Sequence, residues 1–218
     1  GENAPFEYMV TAPWSWPEKW LEDSIPGEMR YAKPWDQLTE KEKHLHATKM
    51  AIHAAMVDVI DQEVGRLLDQ LRAMGEAENT LVLFLSDNGA SAEQIIRGDG
   101  HDPDAPLGSA DSYLCLGPGF STASNTPLRR HKFWTHEGGI NTPMIAYWPE
   151  GIKDKGTFRH SMAHVVDFLP TFLDLAGVEP LKERNGYQVP QLPGRSLVPL
   201  FNEDKRSEER RVGKECTL

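Results

Sequence analysis

The sequence predicts an α/β layered fold, with a central, mostly parallel sheet flanked by helices. Three observations carry this. A helical pattern of apolar residues runs from about residue 39 to 74. Two short segments, 80–86 and 144–148, with strictly apolar runs over 81–85 and 144–148, read as buried strands. A second helical segment, 162–175, follows the later strand. Helix and strand in alternation argue for an α/β layer architecture, and ligands in such folds gather at the carboxyl ends of the strands.

Taken in order, residues 5–11 read as a buried strand interrupted by Glu7. Residues 11–35 are rich in Trp and Pro, lack a period and read as an irregular surface excursion. Thr39-Glu40-Lys41-Glu42 has capping-box spacing, so a helix should start there. Met50, His53, Val57, Ile60, Val64, Leu67, Leu68 and Leu71 follow at steps of mostly three and four. That spacing predicts one buried face with His53 in the core; Asp58 and Asp61 read as surface or hydrogen-bonding groups. Gly75 is a natural terminator.

Residues 80–86 are apolar on both faces, the pattern of a central strand in a parallel sheet. The strand ends at Asp87-Asn88-Gly89. Residues 90–142 show no periodicity and read as one long loop, a kind of segment that is often functional. Pro149 closes the second strand. In the helix at 162–175, His164 lies at the start, Pro170 inside and Gly177 just beyond. Residues 186–200 read as irregular, with a helical turn near 196–200.

The chain has 218 residues and a net charge of −10. That balance argues against a nucleic-acid partner, which needs clustered cations. The strictly apolar runs fall far short of the roughly 20 residues a membrane span needs. Two cysteines exclude a disulfide-rich scaffold and a Cys-based zinc site. The opening at Gly1 suggests a missing N-terminal part, so the absence of a leader is uninformative. Residues 206–216 resemble the translation of a sequencing adapter, which would make 206–218 a non-native tail.

Two short segments carry chemistry. Asp87 and Asn88 put a carboxylate and an amide oxygen at the end of a buried strand; these are hard donors suited to Ca²⁺ or Mg²⁺. The same Asp-Asn-Gly is also an ordinary turn. Lys132 stands before an aromatic pair and Glu137-Gly138-Gly139, where it can present an ammonium to an anionic substrate; a surface lysine beside a turn is the other reading.

Taken together, the segments occur in a recognisable order. Asp58, Asp61 and Val64-Gly65-Arg66-Leu67-Leu68 come first, then Ser86-Asp87-Asn88-Gly89. Lys132 with Glu137-Gly138-Gly139 follows, then Thr142-Pro143-Met144 leading to Trp148-Pro149-Glu150-Gly151, and His164-Val165-Val166-Asp167. This set resembles the type I sulfatases of the alkaline-phosphatase-like superfamily, most clearly over 51–201. Gly98-Asp99-Gly100-His101 and Leu116-Gly117-Pro118-Gly119 are similar to the bacterial arylsulfatase-like branch.

The resemblance implies an alkaline-phosphatase-like fold truncated at both ends, with 1–205 a partial catalytic domain. It implies hydrolysis of a sulfate ester on a small molecule or carbohydrate. A divalent cation, usually Ca²⁺ with Mg²⁺ the alternative, would be held partly by Asp87 and Asn88. Lys132 matches the family's active-site lysine. The family's nucleophile is a formylglycine made from Cys in Cys-x-Pro-x-Arg; Cys115 is followed by Leu116-Gly117-Pro118 and does not fit. The nucleophile and the other two metal ligands are therefore expected upstream, and this chain alone is expected to be inactive. The family often has a His after Ala-Pro; here Ala12-Pro13 is followed by Trp14, so no site is assigned within 11–31. His101, in the long loop, and His136, beside the Glu-Gly-Gly turn, are candidate substrate contacts. A phosphodiesterase or phosphonate hydrolase of the same superfamily is one alternative, and a non-catalytic binding protein another. Family habit points to the periplasm or the cell exterior for the parent.

Overall fold

A computed structural model describes residues 33–92, 102, 104–112 and 114–203. The expected strand at 5–11, the excursion up to residue 32, His101 and the tail from 206 lie outside the described residues. The chain divides into two compact units. One runs through Gln70 and then spans Phe84–Ile145; the other spans Leu71–Leu83 and continues from Ala146.

The capping box forms. The Thr39 amide donates to Glu42 Oε2 at 2.7 Å, and the Glu42 amide donates to Thr39 Oγ1 at 3.3 Å. Two backbone donors that a helix start leaves open are thereby satisfied. Lys33 Nζ adds an ion pair to Glu42 Oε1 at 2.9 Å. The Lys33 hydrogen bond and then the Thr39 amide hold the Glu42 carboxyl down at about 2. Helix α1 runs from there over Glu40–Met74. It ends as expected at Gly75, φ 75°. The Gly75 amide returns to Arg72 O and the Glu76 amide to Leu71 O, both at 3.0 Å, the two bonds of a Schellman motif.

The buried face of α1 is shorter than its sequence pattern. Leu45, His46 and Lys49 are buried, and His46 meets Phe120 edge-on with ring centroids 5.5 Å apart. Further along, the predicted core stripe is half-buried or exposed, with Val57 at 54% and Leu67 at 67%. His53 is half-buried and is not a core residue. A helix face is buried only where another element lies on it, and the described elements cover just the first turns. Asp58 is on the surface, where it accepts from Gln62 Nε2 at 2.8 Å.

Strand β1, Val82–Leu85, pairs with β2, Met144–Tyr147. The bonds flanking the pair run in opposite order: Glu150 N to Glu78 O, and Gly89 N to Gly139 O. The two strands are therefore antiparallel. The α/β class expected from the sequence is the class observed; among the described residues, this pair forms one two-stranded sheet and a small hairpin forms a separate one.

The expected long loop contains two helices, α2 over Gly117–Ser124 and α3 over Glu137–Ile140. The Gly-Pro-Gly-Phe-Ser-Thr run of α2 has poor helix propensity. Proline at the helix start, where no donor is needed, and the Phe120 contact with α1 allow it.

In the other unit, the helix expected from 162 starts later. His164 caps a 3₁₀ turn, Val165–Asp167, accepting the Val166 amide on Nδ1 at 3.2 Å. Helix α4, Phe168–Ala176, follows, so Pro170 falls in its first turn, where its missing N–H costs nothing. Asp167 and Thr171 are fully buried and satisfied. Asp167 accepts the His164 and Arg195 amides at 2.9 Å, while Thr171 Oγ1 accepts the Leu197 amide at 2.8 Å. The segment read as irregular begins within a hairpin, β3 Glu183–Arg184 with β4 Tyr187–Gln188. Its turn is Asn185-Gly186, both at positive φ, a common hairpin signal. The helical turn expected near 196–200 is 3₁₀ over Val198–Phe201. No helix among the described residues is long and apolar enough to cross a membrane.

Candidate functional site

The site lies in the unit that holds α2 and α3, at the carboxyl end of β1. Asp87 is exposed, Asn88 half-buried and Gly89 buried. Three bonds tie this turn to the segment from Lys132 to Thr142. The Gly89 amide donates to Gly139 O at 3.0 Å, the Lys132 amide to Ala90 O at 3.1 Å, and Thr142 Oγ1 to Ser86 O at 2.9 Å. Asp87-Asn88 and Lys132, distant in sequence, are thus held in one locality.

The approach is too close for side chains. A Cβ on Gly89 would collide with the Gly138 carbonyl, and one on Gly138 with the Arg129 and Arg130 carbonyls. The Gly138 amide uses that proximity to donate to Arg129 O at 2.8 Å. Helix α3 begins at Glu137, so the Gly-Gly pair is helical and buried.

Lys132 is half-buried, with Nζ 5.4 Å from the Phe133 ring centre. Its neighbours Arg130 and Phe133 have φ of 72° and 81°. Left-handed backbone at non-glycine residues costs of order 1–3 kcal/mol each and persists only where the surroundings impose it. The Arg130 guanidinium lies 4.3 Å from the Trp134 ring centre. Burial, and then the positive charge of Arg129, lowers its pKa.

His131 is 2% exposed, and burial pushes its imidazole pKa down. Its Nδ1 lies 3.0 Å from Lys132 O. A carbonyl only accepts, so Nδ1 carries the proton in the neutral ring. Nε2, the acceptor, has no hydrogen-bond partner among the described residues. His136 stands at the start of α3, where its carbonyl accepts the Gly139 and Ile140 amides; its ring is 6.2 Å from that of Trp134.

Sequence reading missed Asn125. Its Oδ1 accepts the Ala90 amide at 3.0 Å, and its Nδ2 donates to Arg130 O at 3.0 Å. Ser-Asn-Thr-Pro is ordinary turn composition, so nothing in the local sequence marked it. Arg130 and His131 were missed as well; their burial beside Lys132 depends on contacts that the local sequence does not announce.

Asp87 and Asn88 supply two hard oxygen donors, which fit a cation of the calcium or magnesium type. Calcium takes six to eight oxygens. Among the described residues no group of three or more His, Cys, Asp or Glu is placed to hold a metal, and a cation at these two donors would need further oxygens.

A family model described as Sulfatase matches residues 18–178. The chain belongs to the sulfatase family. An uncharacterised sulfatase of Schizosaccharomyces pombe is 36% identical over 67% of this sulfatase chain and 28% of its own length. An arylsulfatase of Klebsiella aerogenes is 32% identical over 80% of the chain and 39% of its own length. An N-acetylgalactosamine-6-sulfatase of Sus scrofa is 32% identical over 68% and 23%. The chain thus spans well under half the length of these relatives. The solved structure of Ps i-CgsB in complex with k-i-k-neocarrahexaose is 29% identical, with a TM-score of 0.44 over 68% of this chain and 25% of that one. The resemblance read from the ordered motifs is borne out.

Proposed function

We propose that the protein to which this sulfatase chain belongs hydrolyses sulfate esters of carbohydrates or aryl compounds, and that 1–205 is part of its catalytic domain. The observation that carries the reading is the backbone pairing of Gly89 with Gly139 and of Lys132 with Ala90, which joins the donor pair to the lysine. The arylsulfatase and N-acetylgalactosamine-6-sulfatase names of the relatives support the two substrate classes.

In this reading Asp87 and Asn88 would hold a divalent cation, Ca²⁺ with Mg²⁺ the alternative. Bound there, it supplies positive charge to the sulfate oxygens. Lys132 binds the sulfate near the bond that breaks, where its ammonium offsets charge developing on the ester oxygen. His131, held neutral by burial, adds no competing charge beside Lys132. His136, next to the Glu-Gly-Gly turn, and His101 contact the substrate. The nucleophile is a formylglycine on a part of the protein upstream of this chain, since neither Cys115 nor Cys216 stands in a Cys-x-Pro-x-Arg motif.

The test is to recover the reading frame upstream of Gly1, express the whole protein and assay 4-nitrophenyl sulfate against bis(4-nitrophenyl) phosphate. The sulfate ester should be turned over, and Lys132→Ala should lower kcat by about 10²–10³-fold. Preferential turnover of the phosphodiester would refute the reading.

A further inference from the structure

We infer that Asn125 is the positioning residue that sets the cation donors Asp87 and Asn88 against Lys132; the inference rests on the function proposed for those three residues. The Asn125 amide uses both of its ends on backbone. Oδ1 accepts the Ala90 N–H, and Nδ2 donates to the Arg130 carbonyl, each at 3.0 Å. Ala90 accepts in turn from the Lys132 N–H at 3.1 Å. A closed ring results, running from Asn125 to Arg130, along the chain to Lys132, across to Ala90 and back to Asn125. One side of the ring carries Lys132, and the other starts two residues beyond Asn88.

Asn125 is itself anchored. It is the C-cap of α2, with its amide bonded to Thr122 O at 3.3 Å, and its carbonyl accepts the Leu128 amide at 2.7 Å. The ring also encloses the left-handed Arg130, a conformation that an untethered non-glycine residue rarely keeps. The chemistry admits few substitutes. Aspartate can accept from Ala90 but sets a carboxylate oxygen against the Arg130 carbonyl. Leucine can make neither bond.

The test uses the whole protein with Asn125→Asp and Asn125→Leu, beside a stability control, Thr171→Ala, in the other unit. Both Asn125 variants should lower kcat for 4-nitrophenyl sulfate about ten- to hundred-fold with little change in KM. They should also raise the Ca²⁺ concentration needed for half-maximal thermal stabilisation. Thr171→Ala should lower the Tm and leave kcat and the Ca²⁺ response alone. In the wild type, hydrogen exchange should show the Ala90 and Lys132 amides protected together. Wild-type kcat and Ca²⁺ response in Asn125→Asp would overturn the inference, as would rapid exchange at Ala90. Absence of sulfate hydrolysis in the wild type would instead overturn the proposed function, because the exchange measurement reads the ring without any turnover.

Discussion

Gly89 and Gly139 are joined backbone to backbone, the Gly89 amide donating to the Gly139 carbonyl at 3.0 Å. This one bond sets the end of β1 beside the start of α3. The approach requires glycine at 89, where a Cβ would meet the Gly138 carbonyl, and glycine at 139, where a Cβ would meet the Trp134 and His131 carbonyls. The Asp87-Asn88 turn and the lysine segment then share one locality, with the Thr142 hydroxyl adding a bond to Ser86 O.

Gly89→Ala should therefore be severe. The new Cβ would overlap the Gly138 carbonyl, and backbone cannot move aside as a flexible side chain can. A loss of more than about 2 kcal/mol is expected in urea unfolding. Gly65→Ala is the contrast: it lies inside α1 with nothing within 4 Å of its Cβ. It should gain about 0.5–1 kcal/mol, because alanine loses less backbone freedom in a helix.

The start of α1 should be sensitive to acid. Glu42 is held at about 2 against an ordinary value of 4.5. A carboxyl depressed on folding stabilises the folded state fully above the unfolded value and loses that contribution as pH falls through the folded one. The difference in Tm between wild type and Glu42→Gln should be constant above about pH 5 and shrink from pH 4.5 towards pH 2. High salt should reduce it, since Lys33 and Glu42 both retain some exposure.

Asp87→Ala in the whole protein should weaken the response to Ca²⁺. Chelation with EDTA should abolish sulfate hydrolysis, and added Ca²⁺ should restore it in the wild type at lower concentration than in the variant. Equal restoration in both would remove Asp87 from the cation site.

The 218-residue chain alone should not turn over 4-nitrophenyl sulfate, and it should self-associate. Val57, Leu67 and Ile145 are all more than half exposed, and exposed apolar surface of this kind drives association. Val57→Lys with Leu67→Glu should shift the chain towards monomer in size-exclusion chromatography without lowering its Tm. A monodisperse, cooperatively melting wild-type chain would contradict this.

Local features were legible in the sequence. The Thr39–Glu42 box, the Gly75 stop and the places of both strands depend on residues within a few positions of each other; the burial expected of the strands is not found, since β1 and β2 are half-buried to exposed, and the capping role of His164 is seen only in the structure. The Asn185-Gly186 hairpin carried its own signal and was read as irregular. Helix α2 was not legible, because its Gly, Ser and Thr residues favour no helix and a tertiary contact with His46 supports it. The stripe from Met50 to Leu71 was read correctly as apolar and incorrectly as core, since a sequence states what a face can bury and not what lies on it.

For the candidate site, the sequence by itself determined the residue types: two oxygen donors after an apolar strand, a lysine before a Gly-Gly turn, and the order that marks a sulfatase. Only the tertiary structure decided that these segments touch, that His131 is buried, and that Asn125 links the two sides. The reason is physical. The links are bonds to backbone amides and carbonyls, which every residue but proline carries in the same form, so their pairing is settled by where the chain returns in space.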